Sequence, residues 1–183
     1  MATAAHIPVS EYLHTVYRPD CDYVDGEVEE RNLGEQKHGL VQTAIAAIFF
    51  ANRKAWGLRP ITEQRIQVTA SRYRVPDVCV VSSSDPIEPI LSIAPVLCVE
   101  VLSPEDRFQR IIVRAQEFQR MGVSNIWIID PETREAWTMD SNGGAVPMME
   151  DAFTIPGTPV RVDIADIFEE IDNAPKADNA PKT

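Results

Sequence analysis

The sequence predicts an α+β domain, a mixed β-sheet flanked by helices. One long helix precedes the sheet and a second follows its central strand. Three observations predict it. Residues Glu35–Trp56 carry an apolar stripe at helical spacing. Val96–Leu102, VLCVEVL, is a nearly unbroken apolar run of strand length. Glu105–Met121 returns to helical spacing before another apolar run, Asn125–Asp130. The 183 residues suit one domain. We expect it to span residues 1–170, with 171–183 a disordered tail, because the near-repeat DNAPKADNAPKT is polar and proline-bearing.

Each element has its own signal. Ser10 is placed to cap a short helix, Glu11–Tyr17, which Pro19 closes. In DYVDGEVEER, Asp22–Arg31, two short strands meet at the Asp25-Gly26 turn. Leu40, Val41, Ala44, Ile45, Ile48 and Phe49 form the stripe of the long helix, and Gly57 ends it. Leu58–Ala70 reads as a strand, Ser71-Arg72 as a turn, and Tyr73–Val81 as a second strand. After a loop holding Pro86, Pro89 and Pro95 come the central strand and the helix Glu105–Met121, with Phe108, Ile111, Ile112, Ala115 and Phe118 on its apolar face. Asn125–Asp130 is a buried strand, and Pro131–Arg134 turns into its antiparallel partner Glu135–Met139. Ser141–Gly144 is a turn; Val160–Val162 and a short helix, Ile164–Glu169, close the domain.

Composition narrows the function classes. Apolar residues make up 44% and charged residues 25%, ordinary for a globular protein and unlike collagenous or low-complexity chains. Cys21, Cys79 and Cys98 are odd in number and lack CxxC spacing, and with three histidines they do not make a zinc site. Met1–His6 has no signal-peptide character, and the longest apolar run, Ala44–Ala51, is far short of the roughly 20 residues of a membrane span. A cytoplasmic protein with reduced thiols and no membrane partner is the expectation.

The chemistry lies in two acids inside apolar strands, Asp77 in VPDVCVV and Glu100 in VLCVEVL. A buried carboxylate costs several kcal/mol unless it is paired, hydrogen-bonded or metal-bound. Two of them on neighbouring strands suggest a shared partner, and a hard cation such as Mg²⁺ takes one or two carboxylates with water and substrate phosphate. The alternatives are that Asp77, following Pro76, sits exposed at a strand end, and that Glu100 pairs with an arginine of a neighbouring element.

The run RVPDVCVV, then LCVEVLSPEDR, a helix and GVSNIWIIDP, with YVDGEVEERNLGEQKHG upstream, resembles the Uma-two family of restriction endonucleases in the PD-(D/E)XK nuclease superfamily. The resemblance covers roughly Val9–Phe168. It implies a restriction-endonuclease-like core, Asp77 and Glu100 as ligands of Mg²⁺ or Mn²⁺, and a backbone carbonyl ligand from Val101. The superfamily's lysine, two residues after the second acid, is Leu102 here. The lysine that the Uma-two family carries in the following helix aligns with Arg114. Arginine stays protonated and cannot act as a base, but it clamps phosphate and stabilises transition-state charge. On a helical wheel Arg107, Arg110 and Arg114 lie along one flank of the apolar face, with Arg107 and Arg114 at its border.

Weaker candidates are Glu27, as a third acid, Glu63 and Gln64 on the strand before Asp77, and His38 at the start of the long helix as a phosphate contact. Asp130 reads as a turn residue, and Trp127 and Trp137 as packing residues. The leading expectation is a Mg²⁺-dependent DNA endonuclease that acts as a homodimer so that two sites reach two strands. The alternatives are a catalytically impaired binding or interaction module of the same fold, motivated by Arg114, and a hydrolase of small phosphate esters. The net charge of −11 opposes tight non-specific DNA binding. Yet residues 131–183 hold 11 acids and 4 bases, so most of the excess follows every candidate site residue.

Overall fold

A computed structural model describes residues 6–32 and 34–175. The elements in chain order are α1 (Val9–His14), β1 (Asp22–Val24), β2 (Glu27–Glu29), α2 (Gln36–Trp56), β3 (Leu58–Thr62), β4 (Ile66–Thr69), β5 (Arg72–Arg74), β6 (Val78–Ser82), β7 (Leu97–Val101), α3 (Phe108–Met121), β8 (Asn125–Ile129), β9 (Ala136–Met139), β10 (Ala145–Pro147), β11 (Ala152–Thr154), β12 (Arg161–Asp163) and α4 (Ile164–Asn173). Six strands form a mixed sheet in the order β10-β9-β8-β7-β6-β3; β7 and β8 run parallel and the other neighbours antiparallel. The parallel pair needs a crossover, and α3 supplies it. A second sheet has the order β2-β1-β5-β4, and β11 and β12 form a hairpin.

Alternation along the strands divides the core. Val78 and Val80 of β6 and Leu97, Val99 and Val101 of β7 face one side, where Val41, Ile45 and Phe49 of α2 and Phe168 of α4 cover them. Cys79, Val81 and Cys98 face the other side, against Ile111, Ile112, Ala115 and Phe118 of α3 and Ile66 of β4. The α+β class, the mixed sheet and the helices flanking it are as the sequence predicts. Gly57 takes a left-handed conformation, φ 65°, and its N–H closes α2 on the Arg53 carbonyl.

Several boundaries differ, for physical reasons. The stretch read as one strand, Leu58–Ala70, is two strands in different sheets. It breaks at Glu63, which has φ 50° and donates its N–H to the Asp77 carbonyl. Tyr73–Val81 divides likewise around Pro76, which has no N–H for a ladder. The two segments therefore cross together from one sheet to the other, and Asp77 sits at the crossing. Residues 103–107 are a turn rather than the first turn of α3, because Asp106 accepts the Ser103 N–H at 2.7 Å. Helix α1 begins at Val9 behind Pro8, so Ser10 lies inside it, and it ends at His14 rather than Tyr17. Strands β10 and β11, which carry weak patterns, complete the small antiparallel pairings near the end of the chain. Helix α4 runs to Asn173, past the expected boundary at residue 170. The remainder of the expected tail, from residue 176, and residues 1–5 of the N-terminal stretch lie outside the described residues. No helix among the described residues is long and apolar enough to cross a membrane.

Candidate active site

The antiparallel register pairs Val78 with Val99, so the next step along the two strands sets Asp77 opposite Glu100. Both acids share the side of the sheet that carries Cys79 and Cys98, the side covered by α3. Both are 2% exposed, so Asp77 is a buried residue beside its strand end and not a surface one.

Asp77 is fully engaged. Its Oδ1 lies 2.5 Å from Arg31 Nη2, and its Oδ2 accepts the Val101 N–H at 2.7 Å and faces His38 Nε2 at 3.4 Å. Its carbonyl accepts Gln42 Nε2 at 3.0 Å and the Glu63 N–H at 3.1 Å. Burial opposes ionisation of this carboxyl, but His38, Arg31 and the Val101 amide outweigh it and hold its pKa below the usual range. Burial also opposes a charged His38, yet the adjacent Asp77 carboxylate prevails and raises the imidazole pKa.

Glu100 is in the opposite condition. Arg114 Nη2 stands 3.1 Å from its Oε1, as the alternative of an arginine partner anticipated. The contact is an ion pair without hydrogen-bond geometry, and Oε1 is buried with no hydrogen-bond partner. The Arg114 Nη2 hydrogen goes instead to the Val75 carbonyl at 3.0 Å. Burial pushes the Glu100 carboxyl up to about 8, with Asp77 adding to it and Arg114 only partly offsetting it.

These groups line a cavity of about 20 Å³, bounded by Arg31, His38, Asp77, Glu100, Val101 and Arg114 among others. That volume suits one water-sized group or a small ion. A wider cleft of about 210 Å³ shares Arg31, Asn32, Asp106, Ile111 and Arg114 with it and adds Arg110. Asn32 Nδ2 reaches Asp106 Oδ1 at 2.6 Å where the two meet.

Among the described residues, no group of three or more His, Cys, Asp or Glu side chains is arranged around a metal position. A carboxylate pair with an open oxygen still fits Mg²⁺, which keeps most of its waters. Glu100, whose Oε1 has no hydrogen-bond partner, lines a water-sized cavity with Asp77, and that is the observation behind the fit. Burial pushes the Cys79 thiol up to about 12 and Cys98 well above its ordinary value, which leaves both as inert packing residues.

The weaker candidates separate. His38 joins the cluster. Glu27 is exposed on β2, and Glu63 is exposed and touches Asp77 through its backbone. Gln64 donates to the carbonyls of Arg65 and Pro89. None of these three lines the cavity. Arg107 is exposed at the start of α3, and Phe108 is 38% exposed against Trp137 rather than buried. Trp127 is packed in the core, and Asp130 Oδ1 accepts the Glu132 and Thr133 N–H groups as a turn residue does.

Sequence reasoning missed the rest of the polar shell. Arg31 pairs with Asp77 from just beyond β2, at the end of a segment read only as a strand hairpin. Asp22 and Arg74 are buried, with Arg74 Nη1 2.9 Å from Asp22 Oδ2 and Arg74 Nε 2.6 Å from Glu117 Oε2. A signal was present: Arg72 and Arg74 alternate with an inward Tyr73, and Arg110, Arg114 and Glu117 share one face of a helix.

No curated protein matches the chain. Among solved structures, a putative nuclease belonging to DUF820 from Anabaena variabilis ATCC 29413 superposes with a TM-score of 0.77 at 21% identity, covering 89% of this chain and 98% of that one. A chain of the DrdV-DNA complex, determined by cryo-electron microscopy, aligns at 22% identity over 69% of this chain and 10% of its own length, with a TM-score of 0.40. The first match gives the protein the fold of that nuclease. The model of one family, Uma2, described as "Putative restriction endonuclease", matches residues 9–154, and the chain belongs to that family.

Proposed function

We propose that the protein is a Mg²⁺- or Mn²⁺-dependent DNA endonuclease hydrolysing phosphodiester bonds. The observation that carries the reading is the facing pair Asp77 and Glu100 on a water-sized cavity, with Glu100 Oε1 buried and unpartnered. Family membership supports it. Asp77, Glu100 and the Val101 carbonyl would hold the ion. When bound, such an ion supplies a more acidic water and neutralises charge on the scissile phosphate. Arg31, His38 and the Val101 amide keep Asp77 ionised. His38 Nε2 faces Asp77 Oδ2 at 3.4 Å with its pKa raised by that carboxylate, and Arg114 holds a permanent positive charge at the cleft. Arg114 stabilises negative charge but takes no proton from water, so proton removal falls to solvent or substrate.

Supercoiled plasmid incubated with Mg²⁺ or Mn²⁺ tests this directly. Cleavage by the wild type and its loss in Asp77→Ala and Glu100→Ala are expected; unchanged activity in both variants refutes it. Linear product without a nicked intermediate would support a homodimer. A cytoplasmic setting belongs to the same reading, supported by three free cysteines.

Two observations favour a second reading, a non-catalytic binding module of the same fold. Both Asp77 oxygens are already occupied, and Arg114 fills the position of the helix lysine with its charge against Glu100. Calorimetry with Mg²⁺ and Mn²⁺ separates the two, since this reading predicts no binding.

A further inference from the structure

The second sheet reaches the candidate site through one buried acid. Asp22 on β1 is 2% exposed. Its Oδ1 accepts the Val75 N–H at 2.9 Å, and its Oδ2 lies 2.9 Å from Arg74 Nη1 and 3.6 Å from Arg114 Nη1. Val75 in turn accepts Arg114 Nη2 through its carbonyl at 3.0 Å. Asp22, Val75 and Arg114 therefore form a closed triangle, and the guanidinium is oriented from two corners of it.

That orientation decides what happens at Glu100. Arg114 Nη2 is 3.1 Å from Glu100 Oε1, yet no hydrogen bond forms between them and the oxygen stays without a donor. A guanidinium free to turn would satisfy a buried carboxylate with two parallel hydrogen bonds, the preferred arrangement of such a pair. Arg74 does not need Asp22 for neutrality, because Glu117 and Glu29 stand 2.6 Å and 2.9 Å from it. Arg114 does need it. Its other carboxylate is Glu100, and a cation taking Glu100 leaves Asp22 as the counter-charge.

We propose that Asp22 is a positioning residue for the candidate metal centre: it holds Arg114 so that the guanidinium's charge faces Glu100 while its N–H groups make no hydrogen bond to the carboxylate, which stays available to a cation. The inference rests on reading Asp77 and Glu100 as the metal-binding pair.

Calorimetric titration of the full chain with Mn²⁺ tests it on wild type, Asp22→Asn, Arg114→Gln and the double variant. Asparagine at 22 keeps an oxygen for the Val75 N–H and removes the charge. Asp22→Asn is expected to weaken Mn²⁺ binding about tenfold, the usual scale for residues that orient a metal site from behind. In the Arg114→Gln background the same change is expected to alter affinity less than threefold, because nothing is left to position. An equal loss in both backgrounds, or no loss in Asp22→Asn, overturns the proposal. Should Asp22→Asn fail to fold, the double variant removes one charge of each sign. It must then match Arg114→Gln within threefold, and a larger difference overturns the proposal. A wild type that takes up no Mn²⁺ overturns the metal reading and this inference together. Uptake by the wild type with no effect of Asp22→Asn overturns the inference alone.

Discussion

Replacing Glu100 by glutamine, a neutral group of the same shape, isolates the cost of one buried charge. The carboxyl rises from 4.5 to about 8 on folding, first because burial strips its water and then because Asp77 repels it. The sign follows directly. Between those values the folded chain holds a proton that the unfolded chain has released, so stability is complete below pH 4.5 and is lost as pH rises toward 8. At about 1.4 kcal/mol per pH unit the whole span corresponds to about 5 kcal/mol. Roughly 3 kcal/mol of it lies between pH 5.5 and 8.5. Glutamine cannot ionise and escapes this loss. Urea unfolding of wild type and Glu100→Gln, in EDTA at both pH values, gives a double difference from which Asp77 and His38 cancel. Glu100→Gln is expected to gain about 2–3 kcal/mol on the wild type between pH 5.5 and 8.5. A constant difference across that range refutes the account of Glu100 as an ionisable group starved of partners.

Three further outcomes are expected. Asp77→Asn removes the carboxylate that Arg31 and His38 face, and should lower stability at pH 7 by about 3 kcal/mol in thermal or urea unfolding; because the Asp77 pKa is depressed, the wild-type advantage should shrink as pH falls through the carboxylate range. Glu117→Gln leaves Arg72 and Arg74 short of a buried counter-charge and should cost about 3 kcal/mol, whereas a loss under 0.5 kcal/mol would show the cluster to be solvated. Arg114→Lys introduces a group able to lose its proton, and plasmid cleavage at pH 8.5 should rise at least tenfold; no gain would show that arginine is not what limits the rate.

The candidate site was legible in part. Asp77 and Glu100 stood out because an acid in an apolar strand contradicts its surroundings, and Arg114 stood out because the resemblance to the Uma-two family aligns it with that family's helix lysine. Arg31 and Asp22 did not stand out, since each lies among several charges in a segment whose acids face both solvent and core. The wrong strand boundaries have the same origin. Leu58–Ala70 and Tyr73–Val81 each read as one strand, but each breaks, at Glu63 and around Pro76, and changes sheet there. Local pattern reports the pleat of a strand, not which sheet accepts it.

By itself the sequence determined the fold class, the long helix, the two buried strands of the central sheet and the two acids within them. Each is a local matter of periodicity, or of a residue at odds with its neighbours. Only the tertiary structure decided that those acids face each other across an antiparallel pair, that Asp77 is satisfied while Glu100 Oε1 is not, and that Asp22 from another sheet reaches Arg114. Register, burial and hydrogen-bond direction depend on segments dozens of residues apart, so they exist only once the two sheets and α3 have packed.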